Sequence, residues 1–551
     1  MTSTRELGPV PCSANYVALS PISFLERASR VYGDRPAVVY GDLVRFSWKQ
    51  IHQQCVKLAS ALVNLGISHS DFVAALAPNI PPLYELHFGV PMAGAVLSAI
   101  NFNLDATTLA LVLEQLEAKI IFVDYQFVED VLQAFDIMSQ RKCKSPLLVL
   151  MSDYDQKSSP SFKGLPPGTL NYNDLISNGK LDFEIIKPSN ECCPITVNYT
   201  SGSTGICKGA VYSHRAAYLN SLAAISRFDL KSTPVFLWTV DMFRCNGWCF
   251  PWTMAAVGGI NICLRNVSAK AIFDAIHLHK VTHLCGPPTL LNIIADAPAS
   301  DQRPLPFSVN VTVAGVLPPF QILKKVTELG FVVCVGYGMT EALGPVMVRP
   351  WKASSDSEPI NYGDQELPYY MMEGVDVKDP KTMKSTPSDG KTIGEIMFKS
   401  NTLMSGYLKN PKATEEAFRS GWYRTGDLAI RQPDGAIILK DRAKDIIYSK
   451  EEAISSLEIE AVLVSHPKVL KAAVVGKYDD LLEVSPCAFV TLNDGCDATV
   501  QDIIDFCEDR LATHMVPKSV IFGDIPVNST GKVQKFLLRE RVKATNGVSH
   551  Q

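Results

Sequence analysis

With 551 residues, 47% of them hydrophobic, the chain can bury a large core and divide into roughly two to four domains. Its 52 basic and 56 acidic residues give a net charge of −4 without a long run of either sign, which excludes the footprint of a nucleic-acid binder or of a protein held at an anionic membrane. Met1–Ser20 lacks the apolar core of a secretory signal, and stretches such as Phe88–Ile100 are too short and too broken by Gly and Pro to span a bilayer, so a soluble intracellular protein is expected.

Taken in chain order, helical periods alternate with β-branched runs: a helix over Trp48–Leu65, a strand over Phe72–Ala77, a helix over Pro81–Ala95 and a strand over Ile120–Val123. Such alternation predicts α/β layers with much parallel sheet. Polar, Pro/Gly/Ser-rich stretches at Ser152–Lys180 and Ser354–Pro368 read as surface loops. Further strands are expected over Ile195–Tyr199, Ala210–Tyr212 and Phe331–Val335. After the turn Asp434-Gly435 and an apolar strand over Ala436–Leu439, charged residues and a new strand-helix-strand pattern mark a boundary near Leu439–Arg442. The expected architecture is a large body with a small C-terminal lid.

Four loops carry the chemistry. Tyr199–Gly209, with three glycines, four hydroxyl residues from Thr200 to Thr204 and Lys208, suits a polyphosphate: glycines admit positive φ, hydroxyls donate, and the lysine adds charge. It is not a Walker A loop, because Lys208 precedes Gly209 and a strand follows, and it lacks the Gly-x-Ser-x-Gly of a hydrolase elbow. A flexible linker is the bland alternative. Gly336-Tyr337-Gly338-Met339-Thr340-Glu341 leaves a strand with a hydroxyl for a phosphate, a carboxylate for Mg²⁺ and a tyrosine for a base, or is a Gly turn with a helix cap. Gly421–Asp427 ends on a carboxylate suited to ribose hydroxyls, or on an Asx-turn. Pro526–Lys532 sets a lysine before a basic helix, where it either stabilises a phosphoryl transition state or is merely solvated.

His277, His279, His283 and Cys285 raise the possibility of a zinc site, but His277 and His279 do not share a helical face and no Cys-x-x-Cys accompanies them. The 14 cysteines read as reduced and mostly buried, and the Asn-x-Ser/Thr sites at Asn198, Asn266, Asn310 and Asn528 mean nothing without a secretory route.

In this order and spacing, the four loops resemble the adenylate-forming (AMP-binding) superfamily of acyl-CoA synthetases and their relatives, over nearly the whole chain from Phe24-Leu25-Glu26-Arg27-Ala28 to Lys532. Met242-Phe243-Arg244-Cys245-Asn246-Gly247-Trp248, Lys444-Asp445-Ile446-Ile447 and Ser485-Pro486-Cys487-Ala488-Phe489-Val490 are similar to the plant acyl-activating branch, which includes ligases of short, medium, branched-chain and benzoate-type acids. The resemblance implies an α/β fold: a large N-terminal domain of layered sheets and helices over residues 1–440, and a small mobile α+β domain over residues 441–551. It implies ATP-dependent activation of a small-to-medium aliphatic acid as an acyl-adenylate, then transfer to coenzyme A, with Mg²⁺ as cofactor. A benzoate- or cinnamate-type substrate, transfer to another acceptor, or a degenerate non-catalytic paralogue that binds ligands are the alternatives. A downstream acyl-CoA-using enzyme is a candidate partner.

On matching positions, the resemblance puts Thr200, Ser201, Gly202, Ser203, Thr204, Gly205, Ile206, Cys207 and Lys208 around the outer phosphates. Gly336, Tyr337, Gly338 and Met339 join the nucleotide site, Thr340 contacts the α-phosphate, and Glu341 serves Mg²⁺. Asp427 binds ribose, Arg442 contacts the nucleotide, Lys444 is the hinge, and Lys532 stabilises charge in adenylation. The acyl pocket involves Arg244–Trp248 and the loop after Gly336.

Departures cluster. Cys207 replaces a proline, Arg244 a histidine, and Val316-Leu317 a Gly-Ala-type pair. Ser449-Lys450-Glu451-Glu452-Ala453 replaces a Ser-Gly-Gly-Glu-Asn pattern, and Leu482-Glu483-Val484 replaces Trp-Gly-Glu. Glycines at 450 and 451 would let backbone and thiol approach closely, so reduced thioester formation is expected. Ser549-His550-Gln551 begins like a peroxisomal address but ends in Gln, which favours the cytosol over the peroxisome.

Overall fold

Ser47 opens the helix Trp48–Asn64 with a capping box, its hydroxyl accepting from the Gln50 N–H while the Gln50 side chain accepts from the Ser47 N–H. The computed structural model describes the chain outside residues 1–11, 13, 43, 153–163, 201–206, 232, 316–317, 319, 352–371, 450–451, 479–483, 528–531 and 548–551. The expected strands appear at Phe72–Leu76 and Ile120–Asp124. The second helix stops at Met92, short of the expected Ala95: Pro91 brings no N–H to the last turn, and Gly94 turns the chain at φ +76°. The expected loop at 354–368 lies outside the described residues, as does part of 152–180, whose described remainder is not all surface loop: it holds the strand Leu170–Asn171 and the helix Tyr172–Ser177, with Tyr172, Leu175 and Ile176 buried.

Two eight-stranded sheets make the large domain. In one, Pro36–Tyr40, Val235–Trp238, Ile260–Cys263, His283–Gly286, Val309–Ala314 and Phe331–Met339 run parallel, with Val44–Ser47 and Gly344–Pro350 as antiparallel edges. In the other, parallel strands from Val96–Ala99 to Leu170–Asn171 meet Pro194–Thr200, which turns back antiparallel as Lys208–Ser213. One core fills the space between the sheets, where helices Trp48–Asn64, Pro81–Met92 and Phe250–Val257 lie, and each sheet has a second core on its outer face. Hence the strands are apolar on both faces. Arg265 ties the sheets together, donating to Asp124 at 2.8 Å and to the Tyr40 hydroxyl at 3.0 Å.

A four-stranded antiparallel sheet ends with Tyr423–Arg431 and Ile437–Arg442. The small C-terminal domain follows, with the hairpin Ile447–Ser449/Glu452–Ile454, a three-stranded sheet and helices including Lys535–Gly547, around its own cores. Among the described residues, no helix is long and apolar enough to cross a membrane. Six cysteines are buried, five half-buried and three exposed, so full burial is less common than expected.

Glu85 sits on the fully buried helix Pro81–Met92, where its carboxylate accepts from the Tyr172 hydroxyl at 2.5 Å. Burial raises it from 4.5 to about 7, against the pull of that hydrogen bond. The folded state therefore holds this proton more tightly than the unfolded state. Its stabilisation is complete below pH 4.5 and is lost as pH rises through about 7. Between pH 5 and 8 this group is expected to remove on the order of 3 kcal/mol. Glu85→Gln should flatten that decline in urea midpoints; an unchanged slope would refute the assignment.

Candidate active site

The loop expected to hold phosphates lies between two paired strands, Pro194–Thr200 and Lys208–Ser213, whose last rung is Thr200 with Lys208. Ser201–Ile206 lie outside the described residues, so the described part of this site is its mouth: Thr200, Cys207 and Lys208. On the other edge of Lys208–Ser213, the short strand Gly406–Tyr407 pairs Tyr407 with Ala210. The Lys208 ammonium stands 5.0 Å over the Tyr407 ring.

The expected strand-exit loop at Gly336–Met339 is instead strand. Phe331–Met339 continues against Gly344–Pro350, with a bulge between Tyr337 and Gly338. Gly338 makes the close pairing possible, since a Cβ there would lie 2.2 Å from the Gly344 carbonyl oxygen. The chain turns only at Thr340–Ala342, a 3-10 turn that ends on Leu343 at φ +59°. Several partners hold this turn. Tyr212 donates to the Thr340 carbonyl, the Met404 N–H to the Glu341 carbonyl at 2.9 Å, and Asn220 to the Ala342 carbonyl at 3.1 Å. Tyr407 donates to Glu341 Oε1 at 2.7 Å, and Cys245 Sγ lies 3.7 Å from Thr340 Oγ1. Burial raises the Cys245 thiol to about 11, so it stays protonated and can donate.

Cys245 reaches that position on a rare backbone. Cys245, Asn246, Gly247, Trp248 and Cys249 all have positive φ, from 44° to 67°. L-residues adopt this left-handed form singly at a cost, not in runs, so the surroundings must impose it. Asn246 anchors it: its N–H donates to Asn198 Oδ1 at 2.9 Å, and its Oδ1 accepts from Thr196 at 2.9 Å. Gly247 is required by contact as well as by φ, since a Cβ would lie 2.5 Å from Trp238. Arg244 stands at the entry of the run, with Nε 2.8 Å from Asp241 Oδ2 and its guanidinium over Phe243.

Asp427 lies within Tyr423–Arg431, opposite Arg442 in the ladder. Its carboxylate accepts from the Tyr337 hydroxyl at 2.7 Å and faces Arg442 Nε at 3.7 Å. Burial pushes it above the ordinary aspartate value, with Tyr337, Arg442 and Lys532 opposing the rise. Lys532, from the C-terminal domain, is pulled below the ordinary lysine value by burial and by Arg442, while Cys245, Asp427 and Glu341 pull the other way. Its residue surface is nonetheless exposed, so water screens these charges, and they establish proximity more than pairing strength.

The AMP-binding enzyme pattern matches residues 25–408, and the AMP-binding enzyme C-terminal domain matches residues 458–532. The chain belongs to the AMP-binding enzyme family. It is 44% identical over 544 residues to a protein of Arabidopsis thaliana named probable acyl-activating enzyme 21, covering 97% of this chain and 98% of that one. It is 42% identical over 558 residues to an Arabidopsis thaliana protein named acetate/butyrate–CoA ligase, peroxisomal, covering 98% of each. In fold it is similar to an anthranilate–CoA ligase solved with anthranoyl-AMP, at a TM-score of 0.81 and 21% identity over 98% of this chain and 100% of that one. The cytosolic expectation finds no support in the relatives, several of which are named peroxisomal. Ser549–Gln551 lie outside the described residues.

In this AMP-binding enzyme, Lys208, Thr340, Glu341, Asp427, Arg442 and Lys532 come from four sequence regions into one neighbourhood. Lys444 is exposed just beyond the ladder end at Arg442, where its carbonyl accepts from Arg539 at 2.9 Å. Glu341 suits Mg²⁺, which takes one or two carboxylates besides phosphate oxygens: Tyr407 engages Oε1, and Oε2 accepts no hydrogen bond among the described residues. Val316-Leu317, Lys450-Glu451 and Leu482-Glu483 lie outside the described residues. Elsewhere, His283 bonds Thr282 at 2.8 Å and Asn310 at 3.1 Å through its two ring nitrogens. Among the described residues, no three His, Cys, Asp or Glu side chains are grouped to hold a metal. Tyr212, Asn220 and Tyr407 were not legible in the sequence, because only the fold brings them to Thr340 and Glu341 across 128, 122 and 66 residues.

Proposed function

We propose that the chain is an ATP-dependent acid–CoA ligase acting on a small-to-medium, straight or branched aliphatic acid. The convergence of Lys532 with Asp427, Glu341 and the Thr340 turn carries this reading. An acid oxygen attacks the α-phosphorus of ATP, the bond to the β-phosphate oxygen breaks, and pyrophosphate leaves. The coenzyme A thiol then gives up its proton to solvent as its sulfur attacks the acyl carbon, and AMP departs with the electron pair of the broken C–O bond.

Lys208 and its loop hold the outer phosphates, Thr340 the α-phosphate, and Asp427 the ribose hydroxyls, with Arg442 beside them. Glu341 would hold Mg²⁺, which, when bound, neutralises charge growing on the departing pyrophosphate. Lys532 contributes its charge as negative charge develops at the α-phosphoryl oxygens. Residues 441–551 act as the lid, turning about Lys444 so that the adenylate is shielded from water first and exposed to thiol second.

Relatives named for acetate, butyrate or 2-methylpropanoate are 42–44% identical, and those named for cinnamate or benzoate 41%, which supports the aliphatic reading only slightly. A carboxylic-acid panel with ATP and coenzyme A, read separately for pyrophosphate, AMP and acyl-CoA, tests both halves. Pyrophosphate should appear first with short or branched aliphatic acids; its absence with every acid sinks the ligase reading, and preference for benzoate sinks the aliphatic one. A second reading rests on the departures from glycine at Lys450-Glu451, which lie in sequence between the paired strands Ile447–Ser449 and Glu452–Ile454. It holds that adenylate forms faster than acyl-CoA, and equal rates of the two would exclude it.

A further inference from the structure

Tyr407 touches two of the groups assigned to Mg-ATP. Its ring lies under the Lys208 ammonium, with Nζ 5.0 Å from the centroid and within reach of cation–π attraction. Its hydroxyl donates to Oε1 of Glu341 at 2.7 Å. The contacts use different parts of one rigid side chain, so the distance from lysine to carboxylate is set by the phenol.

The support behind Tyr407 is also rigid. Its strand is pinned by Tyr407 with Ala210 and Gly406 with Val211, and the Thr414 hydroxyl accepts from its N–H at 2.9 Å. On the inner side lies the buried Tyr423, which stacks on Phe398. The hydroxyl is thereby aimed before any ligand arrives.

A carboxylate that binds a metal through one oxygen is commonly oriented by a donor on the other, and losing such a donor weakens the metal site although it never touches the ion. We infer that Tyr407 is a positioning residue for Mg-ATP, orienting Glu341 by one oxygen for the ion and keeping Lys208 beside it for the outer phosphates. This rests on the assignment of Glu341 and Lys208 to Mg-ATP made above. Because the Tyr407 hydroxyl acts through Glu341 while its ring alone faces Lys208, loss of the hydroxyl should matter only where the ion is present.

The test is calorimetric titration of the full chain with α,β-methylene-ATP, which is not turned over at the α-phosphate, in Mg²⁺ and in EDTA. Wild type should bind more tightly with Mg²⁺. Tyr407→Phe, which removes one oxygen atom, should bind about tenfold more weakly in Mg²⁺, need more Mg²⁺ for half-saturation, and keep its affinity in EDTA. In a Glu341→Gln background, Tyr407→Phe should add nothing. The inference is overturned if Tyr407→Phe binds like wild type in Mg²⁺, loses affinity equally in EDTA, or adds its full effect to Glu341→Gln. Wild type showing no Mg²⁺ dependence overturns the Glu341 assignment itself, and that is seen before any variant is made. Near-UV circular dichroism of Tyr407→Phe, expected to match wild type, separates positioning from misfolding, and a lost signal would mark the residue as structural.

Discussion

Lys532→Ala is expected to slow adenylation by about 2–4 kcal/mol, or roughly 30- to 1000-fold, since a preorganised cation at developing phosphoryl charge is worth about that much. The loss should fall on acid-dependent pyrophosphate release, while affinity for ATP changes less, because charge concentrates near Lys532 only as the α-phosphorus is attacked. Acyl transfer from preformed adenylate to coenzyme A should be nearly unaffected. The wild-type pH profile carries the same signature. Lys532 must be protonated to act, and desolvation of its ammonium together with the nearby Arg442 lowers its value, so adenylation should fall on the alkaline side below the ordinary lysine range. Lys532→Arg should move that limb upward even if its rate is lower. An unchanged adenylation rate in Lys532→Ala would remove this residue from the chemistry.

Asp124→Ala should destabilise the large domain by about 3–5 kcal/mol, the usual loss when one member of a buried ion pair is removed and the other charge is left behind. Asp124 is fully buried, and Arg265 is 11% exposed. The pair joins the end of Ile120–Asp124 in one sheet to the exit of Ile260–Cys263 in the other, with Tyr40 and Tyr125 beside the guanidinium. Asp124→Ala/Arg265→Met should recover part of the loss, since no uncompensated charge then remains. Urea unfolding followed by tryptophan fluorescence reads both variants. A loss below about 1 kcal/mol in Asp124→Ala would mean the charge is effectively solvated.

Much of this was legible from residue order. The helix at Trp48–Asn64 and the strands at Phe72–Leu76 and Ile120–Asp124 follow from apolar period and capping, which act over a few residues. The paired strands Pro194–Thr200 and Lys208–Ser213 were legible from β-branched and apolar flanks. The strand Phe331–Met339 was read too short because its last four residues include two glycines, poor strand formers alone, and the partner Gly344–Pro350 that holds them extended lies beyond the turn. The left-handed run Cys245–Cys249 had no signal at all: four of its five residues are not glycine, and Asn198 and Thr196, which fix it, are about 50 residues away.

Residue order alone is enough for the α/β class and the AMP-binding family, and for proposing which side chains handle the nucleotide, because loop chemistry and hydrophobic period are local. The orientation of those side chains depends on the folded chain. Tyr337 on Asp427, Tyr407 on Glu341 and Tyr212 on Thr340 are hydrogen bonds between strands and turns distant in sequence, and a phenol can be aimed at a carboxylate only after sheet pairing has fixed both backbones.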